Sequence, residues 1–157
     1  MSARQVAGDG GLDDISRQII GELQEDGRRS YAAIAKAVGL SEAAVRQRVQ
    51  RLLDAGVMQI VAVTDPLTVG YHRQAMIGIK AEGDLQVVAD KLSAAPEIDY
   101  VVVTAGSFDI LVELVVSDDE HLLHLLNDTI RAIPGVKATE TFVYLRLAKQ
   151  TYSWGTR

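Results

Sequence analysis

Apolar side chains recur along the chain with two different periods, and the change of period divides it. From Asp13 to Asp26, Ile15, Ile19, Ile20 and Leu23 mark one helical stripe, and Gly27 follows as a stop. Ser30 suits the N-cap of a second helix whose stripe is Ile34, Ala35 and Val38. Gly39 ends that helix and Leu40 plugs the turn. Ser41 caps a third helix, on which Val45, Val49 and Leu52 fall at i, i+4 and i+7 and so share one face. The run V-M-Q-I-V-A-V-T at 57–64 then abandons the helical period and reads as a strand or stiff arm, with Pro66 and Gly70 marking a hinge at 65–72.

Beyond the hinge the period alternates. The pattern predicts strands at 74–81, 98–104, 109–116 and 137–148, with helices at 84–95 and 118–133. Each helix is stopped by a proline phrase, A-P-E-I at 95–98 and I-P-G-V at 133–136, because proline cannot continue a helix and forces its predecessor towards extended geometry. Two βαβ units in tandem make βαββαβ, the ferredoxin-like sandwich. The fold class is therefore α+β: an N-terminal helix-turn-helix head joined by a β linker to a ferredoxin-like domain. The expected divisions are a flexible tail at 1–11, the head at 12–56, the linker at 57–73, the body at 74–149 and an extension at 150–157. Such a body carries its helices on one sheet face, and nothing in the chain remains to cover the other. Val101, Val103, Ile110, Val112, Phe142 and Tyr144 alternate along the strands, and part of that set is expected to face a second copy in a homodimer.

The third helix is where chemistry enters. At 100° per residue, Ala43, Arg46, Gln47, Gln50 and Asp54 point away from its apolar face. Arginine pairs bidentately with guanine and glutamine with adenine, and alanine leaves room or touches a thymine methyl. Arg48 and Arg51 lie on the flanks, where phosphate contact is the expectation. Arg48 sits near the buried edge, where an internal ion pair is the other reading. The candidate double-stranded-DNA-binding set is Ser41, Ala43, Arg46, Gln47, Arg48, Gln50 and Arg51. Arg28 and Arg29, between the first two helices, are further candidates for phosphate.

Charge changes this picture little. The formal net charge is −5, which looks wrong for a DNA partner. Residues 1–64 carry eight Lys/Arg and eight Asp/Glu, while residues 65–157 carry eight against thirteen, so all of the acidity lies outside the head. The absence of cysteine removes disulfides, thiolate metal sites and cysteine nucleophiles. His121 and His124 are three apart with no obvious third ligand, so they read as surface histidines rather than a metal pair. With no Gly-rich phosphate loop either, an enzyme is not the expectation, and neither a metal nor a cofactor is implied. No apolar run approaches 18 residues and no N-terminal signal pattern is present, so a soluble, cytoplasmic protein with no membrane partner is expected. The turn A-G-S-F-D at 105–109 joins the two central strands. There Gly106 can take a positive φ, and Asp109 can accept from the turn itself or from a ligand amine.

Head and body together resemble the Lrp/AsnC, or feast/famine, family of transcriptional regulators. The resemblance rests on L-D-D-I-S-R-Q-I-I-G-E-L-Q-E-D-G-R at 12–28, V-G-L-S-E-A-A-V-R-Q-R-V-Q-R-L at 38–52, G-S-F-D at 106–109 for a G-x-x-D turn, and I-P-G-V at 133–136 followed by T-x-T at 139–141. Order and spacing carry the likeness more than any one phrase. An arginine at the position of Arg48 is usual in that family. The resemblance implies a sequence-specific DNA-binding regulator that dimerises through its C-terminal domain and assembles further into tetramers, octamers or rings. It implies an amino-acid-like effector bound between dimers near Val102, Thr104, Gly106, Ser107 and Asp109, with Tyr144 as a wall. The alternative function it leaves open is a nucleoid-associated protein that wraps DNA with little sequence preference. Residues after Lys149, including Trp154, match no family phrase.

Overall fold

The computed structural model describes residues 12–151 and 155. The expected tail at 1–11 and Trp154 lie outside the described residues. The described chain forms two compact units, one running to Val63 and taking in the segment from Lys149, the other spanning Thr64–Ala148.

The first unit is a three-helix head: α1 (Asp14–Glu25), α2 (Tyr31–Val38) and α3 (Glu42–Asp54). Each begins where a side chain satisfies the orphan N–H groups of its first turn. The Asp13 carboxylate accepts from the Ser16 N–H at 2.7 Å. The hydroxyls of Ser30 and Ser41 accept from Ala33 and Ala44, each at 3.2 Å. Gly39 takes φ 72, the left-handed geometry that closes α2 and turns the chain into α3. Ile19, Leu23, Ile34, Ala35, Val45 and Val49 form one core, with Leu40 packed against it from the turn. The stripes read from the sequence are thus the buried faces.

The second unit is βαββαβ: β1 (Arg73–Ala81), α4 (Leu85–Ser93), β2 (Ile98–Val103), β3 (Ile110–Val116), α5 (Asp119–His124) and β4 (Val136–Val143). The helix expected over 118–133 has about that extent. From Leu125 to Ile130, however, it winds as a π-helix, and the Arg131 N–H reaches back five residues to Leu126. The sheet is antiparallel in the order β2-β3-β1-β4. Ala75, Ile77, Ile79, Ile110, Val112, Leu114 and Val116 point to one face and are completely buried beneath α4, α5 and the π-helical turn. Alternation places Met76, Gly78, Leu111, Glu113, Val115, Tyr100, Val102 and Phe142 on the other face. Among the described residues of this unit no helix covers that face.

The structure corrects three expectations. Of the six residues of which part was expected to face a partner, Ile110 and Val112 are core and Val101 packs against the same core, while Phe142 is on the open face. A register shift between Ile98 and Tyr100 sets the parity of β2 against β3, and spacing alone does not reveal it. The segment 57–72 forms no strand, and Ile60, Val61 and Val63 are exposed. A β-prone run becomes a strand only when another edge accepts its hydrogen bonds, and none reaches it in the single chain. For the same reason β4 stops at Val143 rather than 148. β1 begins at Arg73, and after Tyr144 donates its N–H to the Gln74 carbonyl the last strand has no neighbour.

Leu114 sits at the middle of the covered face with no exposure. Leu114→Ala should lower the unfolding free energy of the protein by about 2–5 kcal/mol, the cost of an enclosed cavity plus lost transfer energy. Urea denaturation followed by circular dichroism measures this, and a loss below about 1 kcal/mol would place Leu114 in a site that collapses around the deletion.

Candidate functional site

On α3 the buried residues are Val45, Val49 and Leu52, and Ala43, Arg46, Gln47, Gln50, Arg51 and Asp54 are exposed, as the helical wheel requires. Ser41 is committed to the Ala44 N–H as the cap. Gln50 donates to Asp54 at 2.7 Å, which directs its amide along the helix. Gln47 and Arg51 make no side-chain hydrogen bond or ion pair among the described residues, so their donors are available to an external acceptor. Arg46 is placed more specifically. Its Nη2 donates to Glu42 at 2.8 Å, and its guanidinium lies over the Tyr31 ring, 5.1 Å from the centroid. Nothing in the spacing of the sequence links residue 31 to residue 46, so this contact was illegible before the fold.

Arg48 behaves differently from its neighbours. Its Nη1 donates to the Asp13 carboxylate at 2.6 Å and to the Ser16 hydroxyl at 3.2 Å. Of the two readings of Arg48, the structure shows the internal ion pair: the half-buried side chain fastens α3 to the start of α1. The Arg48 hydrogen bond, reinforced by the Ser16 N–H, holds the Asp13 carboxyl at about 2. Arg29 is likewise bound to Glu22 and, at 3.4 Å, to Glu25, which leaves Arg28 as the exposed cation of that loop.

In the body, the turn between β2 and β3 is pinned to β1. The Thr104 N–H donates to the Asp109 carbonyl and the Asp109 N–H to the Ile79 carbonyl, each at 2.9 Å. The Thr104 hydroxyl donates to the Phe108 carbonyl at 2.5 Å. One Asp109 carboxylate oxygen accepts from the Ala81 N–H at 2.9 Å, so this side chain caps the end of β1 rather than its own turn. The Gly106 and Ser107 N–H groups make no backbone hydrogen bond among the described residues. Gly106 does not adopt the positive φ expected of it, and a Cβ there would meet nothing within 4 Å. The turn therefore closes through Thr104 and Asp109 and does not need glycine's left-handed freedom.

Thr104, Gly106, Ser107 and Asp109 lie together on this turn, and Val102 leads into it on the open face beside Leu111. Tyr144 does not join them. It bonds the Gln74 end of β1, whereas the turn bonds the Ile79–Ala81 end, so the two lie roughly 20 Å apart along the sheet. The antiparallel register returns the end of β4 to the start of β1, and β4 borders β1 rather than β2. Tyr144 belongs instead with Glu113, which also accepts from Gln74 at 2.8 Å; burial and then the Glu113 charge push the phenol up to about 12. Near the turn the aromatic neighbour is Phe108. Its ring lies across Gly78, where a Cβ would stand 2.7 Å from it, and meets Phe142 edge-on at 6.1 Å. A glycine inside a strand pattern is the sequence signal for such a close approach.

Residues 12–53 match the model of the AsnC-type helix-turn-helix domain, and residues 71–157 match that of a C-terminal dimeric alpha+beta barrel domain. The chain is 38% identical over 142 residues to the HTH-type transcriptional regulator FL11 of Pyrococcus furiosus, covering 89% of this chain and 93% of that one. It is 33% identical over 145 residues to the leucine-responsive regulatory protein of Salmonella typhimurium, covering 89% and 88%. A transcriptional regulator of Neisseria meningitidis solved as a complex with L-Met superposes with a TM-score of 0.78 at 26% identity, over 91% of this chain and 96% of that one. Among the described residues no helix is long and apolar enough to cross a membrane.

The Asp13–Arg48 tie gives a pH test. The Asp13 carboxyl is lowered in the folded head, from 3.8 to about 2. Its stabilising contribution is therefore complete above its unfolded value and lost as pH falls from about 4 to about 2. Asp13→Asn should melt below the parent at neutral pH, with the difference vanishing near pH 2 and shrinking in high salt because the pair is exposed. A melting difference independent of pH would show that the Asp13 charge contributes nothing to the stability of the head.

Proposed function

Since the chain belongs to the Lrp/AsnC family of transcriptional regulators, we propose that it reads operator DNA with the outward face of α3 and responds to an amino acid or a close relative bound beside the 104–109 turn. It is a regulator and not an enzyme. The observation that carries the DNA reading is the division of α3 into a fully buried Val45–Val49 seam and an outer face whose Gln47 and Arg51 donors are unspent. Gln47 and Arg46 suit base edges, Ala43 suits close approach, and Arg51 and Arg28 suit phosphate. Ser41 and Gln50 border that face, one as the cap and one folded onto Asp54. Arg48, tied to Asp13 through Nη1, lies at the edge of that face and suits phosphate with its remaining donors.

The body belongs to a domain family described as dimeric, and the uncovered sheet face is the surface that suits a second copy. Leaving Met76, Val102, Leu111, Val115 and Phe142 in water together is unfavourable, at roughly 1.5–3 kcal/mol for each large side chain that full burial would remove from it. Paired heads then call for a pseudo-palindromic operator with half-sites about one helical turn, or a multiple of it, apart. For the effector, the turn offers the Gly106 and Ser107 N–H groups to a carboxylate and the second oxygen of Asp109 to an ammonium, a pairing that suits a zwitterion. The leucine-responsive and L-Met-bound relatives support the same ligand class.

Two outcomes test this reading. Gln47→Ala or Arg46→Ala should reduce discrimination between operator and random duplex by roughly 1–3 kcal/mol. Arg51→Ala should weaken both kinds of binding alike and flatten the salt dependence. Quantitative footprinting at several salt concentrations reads both, and unchanged footprints for Gln47→Ala and Arg46→Ala would reject the docking. For the effector, a thermal-shift screen of the twenty amino acids should find one that raises the midpoint. Gly106→Thr, which the backbone accepts, should lose that shift because its side chain occupies the ligand's space. The same calorimetric affinity in Gly106→Thr and parent would move the site elsewhere.

A further inference from the structure

Arg46 differs from the other cations of the outer face in being held before any DNA arrives. Its guanidinium carbon lies over the ring of Tyr31, the first residue of α2, 5.1 Å from the centroid. One of its five N–H donors is given to Glu42 at 2.8 Å. Tyr31 in turn is half-buried and packed against the head core, so the platform is fixed by the hydrophobic interior and not by solvent-exposed groups. The Arg46 side chain nevertheless remains 63% exposed.

A cation–π contact spends none of the guanidinium's N–H donors, and those left free by Glu42 can make two parallel hydrogen bonds to a guanine. A long, free arginine side chain loses rotamer freedom when it binds, and that cost lowers affinity. One already held over a ring has lost part of it in advance.

Resting on the DNA reading given above, we propose that Tyr31 is a specificity-determining positioning residue: its ring, with Glu42 alongside, pre-sets the Arg46 fork for base recognition. Tyr31 need touch no base. It acts across the turn, from α2 onto α3, so the first helix of the motif contributes to sequence choice as well as to backbone contact. Because the number of neutralised phosphates is unchanged by this device, its loss alters discrimination and not the salt slope.

The test uses the full-length protein and a duplex selected by the parent from a random pool, with the pool itself as nonspecific competitor. Arg46→Ala should cut the selected-over-random ratio roughly five- to 150-fold, the range for one bidentate base contact. Tyr31→Leu and Tyr31→Met, which keep bulk without an aromatic face, should each cut it roughly two- to fivefold, the size of an exposed cation–π contact. Tyr31→Phe should behave as the parent, and Tyr31→Leu should add nothing in an Arg46→Ala background. The salt slopes of all Tyr31 variants should match the parent's. A ratio unchanged or raised in both Tyr31→Leu and Tyr31→Met, while Arg46→Ala lowers it, would overturn the positioning role and leave the DNA reading standing. Equal losses from Tyr31→Leu with and without Arg46 would overturn it too, by showing that Tyr31 acts on its own. No effect of Arg46→Ala would remove the base contact itself and the inference with it.

Discussion

The body's sheet has two apolar-bearing faces and the chain supplies helices for one. Ala75, Ile77, Ile79, Ile110, Val112, Leu114 and Val116 are sealed beneath α4, α5 and the π-helical turn. Met76, Leu111, Val115, Val102 and Phe142 on the reverse have no such cover among the described residues of this unit. That imbalance connects the remaining features. A surface that water disfavours suits a second copy, in keeping with a domain family described as dimeric. Polar groups on the same face temper it. On it Gln74 donates to Glu113, and the Tyr144 phenol lies near that carboxylate, so these polar groups have neighbours of their own if the face is covered.

Within the head, the division of labour among arginines follows from where each meets a carboxylate. Arg48 reaches Asp13, thirty-five residues away, and ties α3 to α1. Arg29 reaches Glu22 on α1. Arg46 meets Glu42 on its own helix and the Tyr31 ring on the next, and stays exposed. Arg51 meets none of them. Four residues of one type thus differ in how they are held: two on α1 or its cap, one on its own helix and a ring, and one by no carboxylate among the described residues. Net charge does not distinguish these roles, because the head as a whole carries as many acids as bases.

The turn at 104–109 is built differently from what its sequence suggests. A glycine taking a positive φ was expected, with an acid accepting from its own turn or from a ligand amine. In the fold Asp109 caps β1, Thr104 closes the turn, and Gly106 has an ordinary backbone. What the turn holds free among the described residues is a pair of N–H groups and one carboxylate oxygen, on a loop hydrogen-bonded to β1 at two points. The Phe108 ring beside them lies on Gly78, so the loop and the open face share an aromatic contact.

Local chemistry sufficed for much of this protein. The helical stripes of α1, α2 and α3, the caps at Asp13, Ser30 and Ser41, the left-handed Gly39, and the βαββαβ order all depend on interactions between residues a few positions apart, and spacing records those. The outward set Ala43, Arg46, Gln47, Gln50 and Arg51 was legible for the same reason, since a helix maps sequence onto surface by rotation alone. Tertiary structure decided whatever depends on which strand lies beside which. The β2 bulge set the parity that buries Val101 with Val112. The antiparallel return of β4 carried Tyr144 to the far end of β1 from the turn. The lack of any neighbouring edge left 57–64 without strand pairing. It also decided the long-range contacts, Arg48 on Asp13 and Arg46 on Tyr31. A side chain four or more bonds long can satisfy its charge on any partner within reach, and only the packed fold determines which partner that is.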